Sequence, residues 1–185
     1  MIDPVLAGRV RLVGIDVDGT LTDGGLYIGV ADGRPVELKR FDIQDGLGIA
    51  LLRLAGLPVA IVTGRTSEAA RLRARELNVE EFVSDPDGHK LPSFEAILAR
   101  RKIAWDEVAF LGDDLPDVPL LRRVGLPVVV ANAVGEAKAL ARHTTAAPGG
   151  RGAVREFAEA LLTARGAWDA AVRDYLRERG DDVAG

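Results

Sequence analysis

The chain has no cysteine and only two histidines. Disulfides, thiolate nucleophiles and cysteine-based zinc or iron–sulfur centres are therefore excluded. His89 and His143 stand alone, which suits loop positions better than metal ligation. Aromatic residues make up 5% of the sequence, and Trp105 and Trp168 read as packing residues. A basic surplus is also missing: 24 Lys and Arg face 28 Asp and Glu for a net charge of −4, which argues against nucleic acid as a partner. No apolar run approaches the roughly 20 residues that span a membrane. The longest, Val124 to Val134, is broken by Gly125, Pro127 and Asn132. The opening Met1-Ile2-Asp3-Pro4 lacks the pattern of a signal peptide, so a cytoplasmic protein is the expectation. What is present, 48% hydrophobic and 28% charged residues over 185 positions, is ordinary for one globular domain spanning residues 1–185.

Short apolar runs alternate with longer amphipathic ones. Strands are expected over Val10–Ile15, Pro58–Val62, Glu81–Val83, Val108–Leu111 and Val128–Val130. Helices are expected over Gly46–Ala55, Ser67–Leu77, Ser93–Arg101 and Leu115–Val124. A C-terminal helical segment covers about 153–180, divided at Gly166, and Gly180–Gly185 read as a frayed tail. This alternation predicts an α/β fold, a Rossmann-like three-layer sandwich around a central parallel sheet. The exception is about 24–41, where Leu26-Tyr27-Ile28, a turn at Ala31-Asp32-Gly33 and Val36-Glu37-Leu38 predict a β-hairpin inserted after the first strand.

Parallel sheets bind ligands at the carboxyl ends of their strands, and three of those ends carry Asp16, Thr63 and Asp113. Asp16-Val17-Asp18-Gly19-Thr20 follows the first apolar run. An isolated Asp-x-Asp is often a solvated or capping pair, but two carboxylates at a buried strand end are costly without a cation. Gly112-Asp113-Asp114-Leu115-Pro116-Asp117 adds three carboxylates at the same sheet edge, and oxygen-only donors suit magnesium. Val62-Thr63-Gly64-Arg65 offers a hydroxyl and backbone N–H groups ahead of a helix, an arrangement able to hold a phosphate oxygen. Lys90 follows Asp85-Pro86-Asp87-Gly88-His89 in an expected turn, where a lysine is ordinarily a solvated surface residue.

In this order and on these strand ends, the four motifs resemble those of the haloacid dehalogenase superfamily. The resemblance implies an aspartyl-phosphate mechanism. Asp16 would be the nucleophile, Asp18 the general acid and base, and Thr63 and Lys90 the holders of the phosphoryl oxygens. It also implies Mg2+ bound by Asp16, Asp18 through its backbone carbonyl, and Asp113, with Asp114 and Asp117 orienting that group from behind. The segments Thr22 to Gly46 and Arg65 to Lys90 are too short for a cap domain, so none is expected. An open site of this kind is covered most simply by another subunit. A homo-oligomer is therefore expected, with hairpins and C-terminal segments roofing neighbouring sites.

The run Asp16 to Gly24, the hairpin, Phe41 to Ile49 and Gly149 to Glu156 together resemble the capless family of 3-deoxy-D-manno-octulosonate 8-phosphate phosphatases. That resemblance implies a homotetramer acting on a small sugar-acid phosphate. Its candidate contacts here are Asp18, Asp42, Gln44, Asp45, Gly46, Gly64, Arg65, Arg73, Lys90 and Arg151, the arginines matching an anionic ligand. The sequence departs from the family at Asp42-Ile43-Gln44, where Asn-Val-Arg is usual. It departs again at Ala50, where arginine is frequent, and at Thr20, where valine is usual. The alternatives are a phosphatase of another keto-sugar-acid phosphate, such as a sialic-type 9-phosphate, and a catalytically silent tetramerisation module. The filled catalytic positions argue against the silent module. A phospho-accepting receiver module would lack both the hairpin and the acid at Asp18.

Overall fold

The computed structural model describes residues 1–181. Asp3 starts α1 (Pro4–Arg9), its carboxylate accepting the Val5 and Leu6 N–H groups at 2.7 and 3.3 Å. Next come β1 (Leu12–Asp16), a tight turn over 17–21, and the hairpin strands β2 (Tyr27–Ala31) and β3 (Arg34–Leu38). The chain continues through α2 (Ile43–Leu54), β4 (Val59–Thr63), α3 (Glu68–Glu76), β5 (Glu81–Ser84), α4 (Lys90–Arg101) and β6 (Val108–Gly112). It closes with α5 (Val118–Leu121), β7 (Leu126–Val129), α6 (Gly135–Lys138), β8 (His143–Thr144), α7 (Ala153–Ala164) and α8 (Trp168–Arg177).

Six strands form one parallel sheet in the order β5-β4-β1-β6-β7-β8, flanked by helices. Every residue of β1, β4 and β6 is buried, so their unbroken apolar runs are what a sheet covered on both faces requires. Gly14 lies mid-strand because Phe110 occupies the place of its side chain. Phe110 meets Phe94 edge-on at 5.8 Å, and Phe94 meets Trp105 at 5.7 Å, which gives Trp105 the packing role expected of it. The chain leaves β1 for β4 on one side and later fills the other side with β6. The crevice of the fold therefore opens at the carboxyl end of β1.

The hairpin is present. Asp32 and Gly33 both have positive φ, 51° and 72°, the conformation of a tight two-residue hairpin turn. A bridge between Thr22 and Phe41 closes its base. Several expected boundaries move. Helix α2 begins at Ile43, not Gly46, because Asp42 caps it by accepting the Gln44 N–H at 2.8 Å. Lys90 is the first residue of α4 instead of part of a turn. Leu115–Val124 divides into a single turn over Leu115–Asp117 followed by α5. Helix α1, helix α6 and strand β8 are too short to show a period.

The C-terminal segment divides into two helices with different surroundings. In α7, Ala153, Val154, Phe157, Ala158, Leu161 and Leu162 are buried, and the helix packs along α2. Helix α7 thus belongs to this chain's own core, whereas in α8 only Ala171 is buried. Gly180 and Asp181 still bond back to Arg177 and Leu176, and the remainder of the expected tail, 182–185, lies outside the described residues.

Candidate active site

Asp16 ends β1 and is 3% exposed; Thr63 ends β4, fully buried; Asp113 follows β6. Lys90, 5% exposed, projects from the start of α4. Its ammonium contacts Asp16 Oδ1 and donates to Asp117 Oδ1 at 2.7 Å. The other oxygen of Asp117 accepts the N–H groups of Asp113 at 2.9 Å and Asp114 at 3.3 Å, fixing the loop that carries Asp113. A cleft of about 200 Å3 is lined by Asp16, Asp18, Gly64, Arg65, Gly88, Lys90 and the Asp113–Asp117 loop.

The turn after β1 brings Asp18 back toward the same cleft. Gly19 has φ of 91°, and a side chain there would occupy the space of the Asp113 carboxylate, so glycine is required on both counts. The Thr22 hydroxyl donates to Val17 O at 3.1 Å and accepts the Gly19 N–H at 3.3 Å, tying the turn shut. Thr20, one of the departures noted above, donates its hydroxyl to Asp113 Oδ1 at 3.0 Å. Gly149 and Gly150 press against the outside of this turn, and the Gly150 N–H bonds Thr20 O at 2.9 Å.

Oxygen atoms of Asp16, Asp113 and Asp117 lie within 4.8 Å of one another, with one ammonium among them. Burial, and then repulsion from Asp117, push the Asp16 carboxyl well above the usual range against the pull of Lys90. The same two causes raise Asp113 to about 6. Burial opposes the charge on Lys90, but Asp16 and Asp117 outweigh it and hold the ammonium above its ordinary range. Three acids share a single cation in a largely buried crevice, and the donors are all oxygen. That donor set fits a hard divalent ion.

Of the expected site residues, Asp16, Asp18, Gly64, Arg65, Lys90, Asp113, Asp114 and Asp117 line the cleft. Thr63 reaches it through Asp18 Oδ2, 3.4 Å from its hydroxyl. The other expected substrate contacts, Asp42, Gln44, Asp45, Gly46, Arg73 and Arg151, do not line it. Asp42 is the cap of α2. Asp45 is fully buried and accepts the N–H groups of Gly152 at 3.2 Å and Arg155 at 3.0 Å, anchoring the start of α7. Gly46 makes room for Arg73, which donates to Asp42 O at 3.1 Å and to Glu76 at 2.9 Å. Gln44 and Arg151 are exposed. The sequence reading missed Lys39, whose ammonium contacts Asp18 Oδ1. Its only signal was a cation at the foot of a hairpin that follows an acidic turn.

Sheet order, crevice and carboxylate cluster are together those of a haloacid dehalogenase-like hydrolase. The profile of that family matches residues 82–155. The 3-deoxy-D-manno-octulosonate 8-phosphate phosphatase of Escherichia coli K12 is 39% identical over 165 residues, 89% of this chain and 86% of the relative. The Moraxella catarrhalis enzyme of that name, solved with magnesium, phosphate and KDO, superposes with a TM-score of 0.85 at 33% identity, covering 93% of this chain and 97% of the other. Its Yersinia pestis counterpart gives 0.84 at 36% identity, covering 90% and 88%. The chain belongs to the 3-deoxy-D-manno-octulosonate 8-phosphate phosphatase family, and it is a phosphatase.

Proposed function

We propose that this phosphatase hydrolyses 3-deoxy-D-manno-octulosonate 8-phosphate with Mg2+ as cofactor. The observation that carries the chemistry is the cluster of Asp16, Asp113 and Asp117 around the Lys90 ammonium at the end of β1. The substrate rests on the relatives, whose names specify that ester.

Asp16 and Asp113 would hold the metal with the backbone carbonyl of Asp18, and the ion would supply positive charge to the phosphoryl oxygens. Lys90 adds a second positive charge, and Thr63 with the N–H groups after β4 holds the remaining oxygens. Asp16 attacks phosphorus in line as the ester P–O bond breaks, and Asp18 gives its proton to the departing sugar oxygen. Asp18 then takes a proton from the water that attacks the aspartyl phosphate, which releases inorganic phosphate and restores Asp16. Asp114 and Asp117 hold the Asp113 loop throughout; Asp117 also steers Lys90.

Arg65 at the cleft mouth is the cation nearest to hand for the sugar acid's carboxylate. Asp42, Asp45, Gly46 and Arg73 support that region through α2 and α3, while the exposed Gln44 and Arg151 are free to meet substrate at an interface between copies. The hairpin's exposed Tyr27, Ile28, Val30 and Leu38 support a homo-oligomer, a tetramer in our reading, located in the cytoplasm. No helix among the described residues is long and apolar enough to cross a membrane.

The test is phosphate release from the octulosonate ester beside a panel of sugar, amino-acid and nucleotide phosphates, each with and without a chelator. We expect metal-dependent turnover with kcat/KM about 10²-fold or more above the panel, equivalent to ~2.7 kcal/mol of discrimination. Weak, even turnover across the panel would remove the octulosonate ester as the substrate.

A further inference from the structure

Lys39 lies one residue beyond β3, and its side chain has no exposed surface. Its ammonium contacts Asp18 Oδ1 and lies 3.5 Å from Glu37 Oε1. Glu37 is itself held: Ser67 Oγ, the cap of α3, donates to it at 2.7 Å, and Arg65 Nη2 donates at 3.3 Å. Burial works against the charge on Glu37, but Ser67, Lys39 and Arg65 together bring its carboxyl below the usual range. A chain of contacts thus runs from the cap of α3 through the hairpin foot to one oxygen of Asp18. Asp18 Oδ2 accepts a hydrogen bond from the Thr63 hydroxyl at 3.4 Å.

An ammonium only donates hydrogen bonds. With Lys39 on Oδ1 and the Thr63 hydroxyl on Oδ2, both oxygens are held and the Asp18 carboxyl is fixed in one orientation beside the cleft. We propose that Lys39 is a positioning residue for the general acid, holding the Asp18 carboxyl in the orientation from which it meets the leaving group. This rests on the acid role given to Asp18 above. It gives the hairpin foot a part in the chemistry of its own chain.

The test compares two esters. The octulosonate ester expels an alkoxide, which needs a proton; 4-nitrophenyl phosphate expels a stable phenolate, which does not. The ratio kcat/KM reports events up to the first irreversible step, so it isolates leaving-group departure from the later attack by water. Lys39→Met is expected to lower kcat/KM about 10²-fold on the sugar ester, the scale of general acid help, and at least tenfold less on the aryl ester. Lys39→Arg, which restores a donor, is expected to recover most of the loss. Glu37→Gln, which loosens the anchor, should show the same selectivity with a smaller amplitude.

Equal losses on both esters, or no loss on either, would overturn the proposal. Asp18→Asn run alongside separates the two readings. Selective loss in Asp18→Asn with equal losses in Lys39→Met overturns the positioning role alone. Equal losses in both variants overturn the acid role of Asp18 and this proposal with it.

Discussion

The six-stranded sheet and the hairpin use similar residue types and stand in opposite relations to water. In β1, β4 and β6 every residue is buried, whereas every residue of β2 is exposed, Ile28 and Val30 at 75%. Both regions are rich in β-branched side chains, so β-propensity set the local conformation in each, and only the presence of a packing partner decided burial. A lone two-stranded hairpin is marginal in water. This one is secured at its foot by the Thr22–Phe41 bridge and by Glu37 and Lys39, while its apolar tip has no partner among the described residues. The sheet holds the buried carboxylates, and the hairpin foot reaches the cleft at Asp18 and Arg65.

The largest effect expected from this division falls on the sheet's catalytic end. Asp16→Asn should lower turnover on the order of 10⁴-fold or more while the circular dichroism spectrum stays native. Appreciable remaining turnover would take the nucleophile role from Asp16. Next comes stability. Phe110→Ala, inside the sheet's core, should cost about 3–5 kcal/mol, whereas Val30→Ala on the hairpin should stay within about 0.5 kcal/mol. Denaturant melts at low protein concentration measure both, and similar costs would erase the contrast.

The smallest effect belongs to the sheet's edge, where the core thins out at β8. Burial lowers the His143 pKa from 6.5, and its Nε2 has no hydrogen-bond partner. The unfolded chain therefore takes up this proton first. Stability is lost as pH falls below 6.5 toward the lower folded-state value, and is kept above it. His143→Gln should flatten the fall in melting temperature on going from neutral to mildly acidic pH. An unchanged slope would show that His143 is solvated in the folded protein.

Much of this division was legible in the sequence. Unbroken apolar runs marked the doubly covered strands, and Asp32-Gly33 marked the hairpin turn. Asp16, Thr63 and Asp113 were readable because each sits at or just beyond a strand end, which apolar runs locate well, whereas Lys90 was expected in a turn and stood out only through the resemblance. Lys39 was not, since its meaning depends on a hairpin folding back to within reach of Asp18. The surroundings of Asp45 were not legible for a related reason. In sequence it is one more acid beside a glycine, and only the approach of α7 supplies the N–H groups of Gly152 and Arg155 that occupy it. The role of α7 was obscured similarly, because its apolar stripe fits a subunit contact as well as the core beside α2.

The central place of β1 also governs when the enzyme can exist. Val13 pairs with Val59 on one side and with Ala109 on the other, so the strand made first waits for partners made far later. Pairings this distant along the chain are slow to form. On the ribosome, the segment bearing Asp16 emerges apolar and unpaired, a species that invites aggregation and chaperone capture until β6 has been synthesised. Asp113 and Asp117 lie one and five residues beyond β6, so the last sheet neighbour of β1 and the last carboxylates of the cluster arrive together. Activity should therefore switch on late and all at once during synthesis, with no partly competent nascent chain before it.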